Sequence, residues 1–157
     1  MKTLFPKTEA HIPKLFIVDA KGKTLGRLAT EISKLLRGKE NAYYTPGIDQ
    51  GNYVIVLNAK QITITGKKAS QKLYYRTSQR PGTLKIETFE QLQNRIPIRI
   101  LEKAVWGMLP KGVLGRNYYK RLYVYEENRV LTSTKQNQRE GENFETLLES
   151  QNWIQVN

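Results

Sequence analysis

Residues 107–125 combine the side chains best suited to holding an anionic polymer. The run contains glycines and no acidic residue, and its cations and adjacent tyrosines are Lys111, Arg116, Tyr118, Tyr119, Lys120 and Arg121. Lysine and arginine neutralise phosphates, a tyrosine ring stacks on a base, and glycine lets the backbone approach a ligand closely. The run therefore predicts contact with nucleic acid, and an ordinary solvated basic loop is the alternative.

Six further cations stand beside turn residues elsewhere in the chain. They are Arg37 and Lys39 around Gly38, Lys67 and Lys68 after Gly66, and Arg76 and Arg80 before Pro81-Gly82. Because they fall at the ends of elements or in loops, these side chains and nearby backbone N–H groups can follow an irregular phosphate path. Any one of them alone is best explained as a solvated surface charge, so the prediction depends on the whole set.

Positive charge is concentrated in the first 125 residues, which hold 23 basic and 8 acidic side chains for a net charge of +15. Residues 126–157 hold 3 basic and 6 acidic side chains, a net of −3, which brings the chain to +12. A body this positive favours a polyanionic partner. A membrane surface is disfavoured because no single helix carries both a basic face and a large apolar face. The apolar runs are also too short to span a bilayer, and residues 1–7 lack the apolar core of a secretory signal.

Residues suited to catalysis or metal binding are few. The chain has no cysteine, and its single histidine, His11, lies in the leading segment, so neither a metal site nor a cofactor is expected. Asp19 and Asp49 are the carboxylates considered as a catalytic pair, but one ends a predicted strand and the other lies in a turn-rich loop. Local hydrogen bonding explains each of them. The sequence predicts no enzyme and no small-molecule substrate.

The segment Gly22-Lys23-Thr24 lies between a strand and a helix, as the end of a phosphate-binding loop would. That motif requires another glycine five positions earlier, where this chain has Ile17 inside the strand. A tight turn is therefore favoured over a triphosphate site. A nucleotide-using transferase remains the enzymatic alternative.

Apolar periodicity predicts the elements that must position these side chains. Strands are predicted at 16–20, 53–57, 62–65, 72–76 and 122–125. A first helix is predicted from a cap at Thr24 to Gly38, and a last one from Pro97 to Pro110. A short helix is predicted at 89–94, after a capping box formed by Thr88 and Gln91. The order of strand, helix and strand predicts an α/β domain with a mainly parallel sheet. The predicted divisions are an N-terminal extension at 1–15, an RNA-binding domain at 16–125, and a polar linker with an acidic tail at 126–157. Within that extended C-terminal arm, Phe144, Leu147, Leu148, Trp153 and Ile154 form a small apolar stripe that either folds back or docks on a neighbour.

An ordered series of blocks across residues 16–125 resembles the large-subunit ribosomal protein L-thirteen family in its bacterial and organellar form. The blocks lie at 16–30, 36–39, 44–46, 53–59, 65–68, 74–76, 88–90 and 122–125, with Asp49 and Gly51 between them. The most diagnostic are Gly-Met-Leu-Pro-Lys at 107–111 and Leu-Gly-Arg at 114–116.

The resemblance implies a three-layer α/β/α domain that binds large-subunit rRNA early in assembly, has no catalytic role and has neighbouring ribosomal proteins as partners. By motif, the implied rRNA contacts are Arg37, Lys39, Lys67, Lys68, Arg76, Lys111, Arg116, Lys120 and Arg121, and Arg80 joins them from its loop context. A free-standing RNA or DNA chaperone is the alternative within the nucleic-acid class.

The chain departs from the family pattern at three places. Gly47 stands where bacterial relatives usually have histidine, Asn52 replaces a usual aspartate, and the sequence beyond Tyr125 lacks the common histidine-bearing ending. The divergent tail favours a plastid-encoded ribosomal protein slightly over one from a bacterial cytoplasm.

Overall fold

The computed structural model describes residues 13–127 and the backbone of residues 153–156. The strands are β1 (Leu15–Asp19), β2 (Tyr53–Leu57), β3 (Leu73–Arg76), β4 (Lys85–Thr88), β5 (Leu122–Val124) and β6 (Trp153–Val156); the helices are α1 (Leu25–Arg37), α2 (Lys68–Gln71), α3 (Phe89–Arg95), α4 (Ile98–Met108) and α5 (Val113–Lys120), with one turn of 3-10 helix at Ala59–Gln61. No helix in the described residues is long and apolar enough to cross a bilayer. His11, Phe144, Leu147 and Leu148 lie outside the described residues.

A four-stranded parallel sheet forms the centre of the fold, in the order β5-β2-β1-β6. Helix α1 makes the crossover between β1 and β2, so the predicted α/β class with a mainly parallel sheet is confirmed. On its other side, β1 pairs in parallel with β6, from Leu15↔Trp153 to Val18↔Val156. The backbone of this last strand therefore folds back onto the domain, one of the two alternatives for the apolar stripe.

The helices pack on one face of the sheet. Alternate strand residues, among them Phe16, Val18, Val54, Val56 and Val124, join the apolar stripes of α1, α3 and α4 in one buried cluster. The residues between them point to the opposite face, where Leu15, Ile55 and Tyr123 form a second, smaller cluster. Within the described residues the helical layer lies on the first face only, so this part of the chain shows two of the three implied layers.

Helix α1 follows its predicted pattern closely. Leu25, Leu28, Ile32 and Leu36 are buried along one stripe, and Gly38 ends the helix in the left-handed region with φ +71°. A Cβ on Gly38 would also overlap the amide end of the Gln50 side chain, which would have to move, so the backbone conformation is the stronger reason for glycine here. The helix thereby ends at the same edge of the sheet at which β2 begins.

Two predictions of local structure are wrong, and two elements were not predicted. The strand expected at 62–65 is reduced to a single bridge between Thr63 and Thr24, whose side chain makes no capping hydrogen bond. The sequence also gave no sign of β4, which pairs antiparallel with β3, or of α5. Helix α5 contains Gly115 and two tyrosines, which have modest helix propensity, so its packing against α1 and β5 stabilises it.

Candidate nucleic-acid interface

The edge at which the strands begin is organised around Asp49. One oxygen of this carboxylate, Oδ1, accepts a hydrogen bond from Nη1 of Arg121 at 2.6 Å and another from the Gly51 N–H at 3.0 Å. The Arg121 guanidinium also lies 5.8 Å from the centre of the Tyr53 ring. Burial lowers the pKa of Arg121, but the hydrogen bond and charge of Asp49 outweigh it and the pKa is raised overall. The pair therefore fastens the loop before β2 to the start of β5.

Tyr118 lies closed off beneath this network. Its side chain is only 2% exposed. Burial raises the pKa of its hydroxyl, Asp49 and Tyr44 raise it further, and Arg37 and Arg121 oppose the rise. This burial argues against the predicted contact of Tyr118 with RNA, because a buried ring has no face open to a base. Its ring instead packs in the core, beside the residues that hold the edge together.

Four of the sequence-predicted cations share this edge, and we call them the amino-edge group: Arg37, Lys39, Lys120 and Arg121. Arg37 is half-buried and its Nη2 donates to the hydroxyl of Tyr44 at 3.1 Å. Lys39 follows the glycine that ends α1, Lys120 ends α5, and both are exposed. The group thus contains two anchored guanidinium groups and two ammonium groups that are free to reach outward.

A cavity of about 430 Å³ opens on the other side of α5, between β3, β4 and helices α3 to α5. Arg76 lines it together with four aromatic side chains, of which Trp106 and Tyr119 meet edge to face at 5.1 Å. Lys111 holds its ammonium 5.1 Å from the Trp106 ring centre and donates to the Trp106 carbonyl at 2.9 Å. We call Arg76, which lines the cavity, and Lys111, which contacts the cavity residue Trp106, the cavity group.

Sequence reasoning missed three further cations that line this cavity, Arg95, Arg99 and Lys103. The signal was present in α4, because Arg99, Glu102, Lys103 and Trp106 recur at helical spacing and so share one face. That face lies beside the apolar stripe that the prediction followed. Its role depends on β3 and β4 packing alongside, which no local pattern indicates.

Four other predicted contacts are exposed but belong to neither group. Lys67 and Lys68 stand at the start of α2, Arg116 lies on the outer side of α5, and Arg80 occupies the loop between β3 and β4. The carbonyl of Arg80 accepts hydrogen bonds from the backbone and hydroxyl of Thr83, at 3.3 and 2.7 Å, which orders this loop. The structure therefore gathers six of the ten predicted cations and leaves four apart.

Most of this positive charge is not neutralised internally. Within residues 13–127, ion pairs join only Arg121 to Asp49 and Arg95 to Glu87, the second also at 2.6 Å. The remaining lysines and arginines of that range have no carboxylate within 4.0 Å among the described residues. Their charge is available to an external anion.

The turn that resembles a phosphate-binding loop is occupied by protein hydrogen bonds. The N–H of Gly22 donates to the Gln61 carbonyl at 3.1 Å, and that of Leu25 donates to the Thr63 carbonyl at 3.0 Å. The amide of Gly22 lies in the turn, and that of Leu25 is the first of the helix, so both are already used where a phosphate at the start of α1 would bind. The tight turn favoured from sequence is therefore correct.

The two carboxylates weighed for catalysis stand at opposite edges of the sheet. Asp19 ends β1 and accepts hydrogen bonds from the Asn58 side chain at 2.8 Å and the Lys21 N–H at 3.0 Å. These bonds lower the pKa of Asp19. Asp49 precedes β2, so a whole strand separates the two groups and they do not act together.

Comparison with known proteins gives a consistent result. The model of the family described as Ribosomal protein L13 matches residues 13–131. A protein named "Large ribosomal subunit protein uL13" from Prochlorococcus marinus is 58% identical over 125 residues, which cover 80% of this chain and 87% of that one. Proteins of the same name from Picosynechococcus sp. and Thermosynechococcus vestitus are each 56% identical over 125 residues, covering 80% of this chain and 83% and 82% of their own lengths.

Proposed function

Since the chain belongs to the ribosomal protein L13 family, we propose that it is a structural constituent of the large ribosomal subunit that binds large-subunit rRNA directly. The family is structural and not enzymatic. The single observation that carries RNA binding is the set of cations left without carboxylate partners in residues 13–127, five of them gathered on either side of α5.

The fold suggests how such a protein binds. Lys111 and Lys120 stand near the two ends of α5, a helix about 12 Å long, so their groups reach different phosphates of a folded RNA. Cations placed between RNA segments reduce the repulsion between those segments as they approach. The sheet and the Arg121–Asp49 pair hold the groups in place, and this arrangement supports a role early in subunit assembly.

Salt dependence provides the test of direct binding. We expect the double variant Arg116→Gln with Lys120→Gln to reduce the slope of log K against log salt by about 1.4 to 1.8, because each phosphate contact contributes about 0.7 to 0.9. Filter binding to cyanobacterial large-subunit rRNA measures the slope. The matched control is Arg27→Gln with Lys34→Gln, two exposed cations of α1 outside the candidate set, which should leave the slope unchanged. Equal slopes for the wild type and the Arg116/Lys120 variant would remove these residues from the interface.

Incorporation into ribosomes provides the test in cells. Arg116→Glu with Lys120→Glu should reduce co-sedimentation of the chain with large subunits after a high-salt wash, while circular dichroism of the purified variant stays unchanged. A wild-type chain that sediments apart from large subunits would favour the free-standing chaperone instead.

We propose that residues 16–125 form the rRNA-binding unit, with 1–15 as an extension, and that the acidic segment after Tyr125 contacts a neighbouring ribosomal protein. Truncation after Tyr125 should then spare rRNA binding, measured at a temperature at which the shortened chain is folded. Loss of binding by the folded truncation would place part of the site in the tail.

A plastid location is proposed from the divergent tail alone, since cyanobacterial relatives fit a plastid and a bacterial cytoplasm equally well. Immunodetection of the chain in isolated plastids would support the plastid location, and its absence from that fraction would support a bacterial cytoplasm.

A further inference from the structure

The cavity beside α5 has features that phosphate binding does not require. Its volume of about 430 Å³ falls in the range of pockets that take small ligands, and it lies between five elements of secondary structure. A phosphate contact needs only an exposed cation. A half-open cavity of this size is suited to a flat group that leaves the solvent in part.

The walls are aromatic. Tyr74, Tyr75, Trp106 and Tyr119 all line the space, and the edge-to-face contact with Tyr119 fixes the orientation of Trp106. Tyr75 is 58% exposed although it is large and aromatic, so its ring stands at the mouth with a free surface. Aromatic side chains of this kind stack on unpaired bases of RNA.

Two polar groups of the cavity lack partners. The Tyr74 side chain is only 9% exposed, and its hydroxyl has no hydrogen-bond partner among the described residues. Glu102 also lines the cavity and is half-buried, and burial raises the pKa of its carboxyl although nearby Arg99 opposes the rise. Glu102 has no ion pair or hydrogen bond within residues 13–127, whereas the other carboxylate of the cavity, Glu87, is paired with Arg95. Buried polar groups normally have partners, so the Tyr74 hydroxyl is positioned for a ligand, and the half-buried Glu102 carboxylate is open to one.

The charges around the mouth suit a nucleotide. Arg76 and Lys103 line the cavity, and the Lys103 ammonium lies 5.5 Å from the Tyr74 ring centre and 3.5 Å from the Tyr75 carbonyl. Neither cation has an ion-pair partner in the described residues, so both remain available to phosphates that flank an inserted base.

We propose that this cavity binds a single unstacked guanine base of an RNA strand. The base stacks against Tyr75 and Trp106, and the Glu102 carboxylate accepts hydrogen bonds from the guanine N1–H and 2-amino groups. Guanine is favoured because it alone among the four bases presents two adjacent donors to one carboxylate on its pairing edge. This inference deepens the proposed function, since it assumes that the chain binds RNA.

Trp106 is the reporter for the test. In the otherwise full-length Trp153→Phe variant, Trp106 is the remaining tryptophan, and its fluorescence is followed while short uridine oligonucleotides are added. An oligonucleotide with one central guanosine should quench Trp106 and bind roughly tenfold more tightly than the all-uridine one. Inosine, which lacks the 2-amino group, should bind more weakly than guanosine. Equal binding of the guanosine and all-uridine oligonucleotides, or unchanged fluorescence, would overturn the proposal.

Matched variants assign the roles. Tyr75→Ala should lose about tenfold in affinity for the guanosine oligonucleotide and leave the all-uridine affinity unchanged. Tyr43→Ala, which removes a tyrosine that is 63% exposed in another loop, should change neither. Glu102→Gln should abolish the preference for guanosine over adenosine, and the exposed control Glu90→Gln should keep it.

The outcomes separate this proposal from the proposed function. If wild-type protein binds rRNA with a steep salt slope but Tyr75→Ala and Glu102→Gln bind every oligonucleotide as the wild type does, the guanine site is wrong and the ribosomal role stands. If the wild type binds rRNA with no salt dependence, the proposed direct binding fails. A photocrosslink from Tyr75→p-benzoylphenylalanine in intact subunits should reach a guanosine of rRNA, and a crosslink to a peptide would assign the cavity to a protein neighbour instead.

Discussion

Replacing Gly115 by alanine should destabilise the protein, although the same change stabilises most helices. An alanine inside a helix ordinarily gains about 0.5–1 kcal/mol over glycine. At this position an added Cβ would overlap the carbonyl oxygen and carbon of Pro110, which are backbone atoms and cannot rotate away. Overpacking costs about 1–3 kcal/mol, and a rigid neighbour places the cost at the upper end, so we expect a net loss of about 2 kcal/mol.

Urea unfolding followed by circular dichroism measures this loss. With an m-value of about 2 kcal/mol per molar for a small protein, the midpoint should fall by about 1 M. Because Pro110 precedes Lys111 and Gly115 precedes Arg116, the folded variant should also bind rRNA more weakly.

Gly26 in α1 provides the matched control. An added Cβ there would meet no atom within 4 Å, so Gly26→Ala should keep the wild-type stability or gain up to about 1 kcal/mol. If Gly115→Ala proved as stable as Gly26→Ala, the close approach of α5 to Pro110 would be refuted, and with it the placement of the cations on either side.

The other predictions concern the polar contacts of the fold. Asp49→Ala should lower the free energy of unfolding by about 1–3 kcal/mol, because the partly buried Arg121 loses its ion pair; unchanged urea stability would show that the pair is replaced by water. Thr88→Ala removes the cap of α3 and should cost about 0.5–2 kcal/mol in the same assay, and no loss would argue against the capping box. Asp19 has a lowered pKa in the folded state, chiefly through its hydrogen bond from Asn58, so its contribution to stability is present above its unfolded pKa and is lost as the pH falls through the folded value. Asp19→Asn should therefore reduce the loss of stability below about pH 4, which is measured by comparing thermal unfolding at neutral and acid pH. A variant that loses as much stability in acid as the wild type would contradict this.

Much of the sheet could be predicted because its signals are local. The strand Tyr53–Leu57 has the predicted bounds, since a continuous apolar run is required where a parallel strand is covered on both faces. The capping box of Thr88 and Gln91 was read directly from two residues three apart, and both of its hydrogen bonds are present.

The site was harder to predict because it depends on contacts between distant segments. Tyr118 and Tyr119 are neighbours in sequence and look equally available, yet the helix turns the first into the core and the second towards the cavity. Likewise, the sequence does not show that Arg121 has a partner, because Asp49 reaches it only through the folded loop before β2. A pattern of residue types identifies charge but not which charge has an internal partner.

Asn52 shows how a departure from the family pattern is accommodated. Its side chain is 5% exposed, accepts a hydrogen bond from the Lys14 N–H at 3.3 Å and donates one to the Leu35 carbonyl at 3.0 Å. An amide makes both bonds, whereas an ionised carboxylate accepts hydrogen bonds only. Asn52 thereby joins the segment before β1 to the end of α1.

The pairing of β6 with β1 has a consequence for the order of synthesis. Strand β6 follows β1 at a long distance in the sequence, so the sheet stays open on that side until β6 has been synthesised. An unpaired strand edge is a template for wrong association with other chains. Newly made chains are therefore vulnerable to aggregation until β6 has paired, and any factor that shields them in that interval would have to cover the open edge of β1.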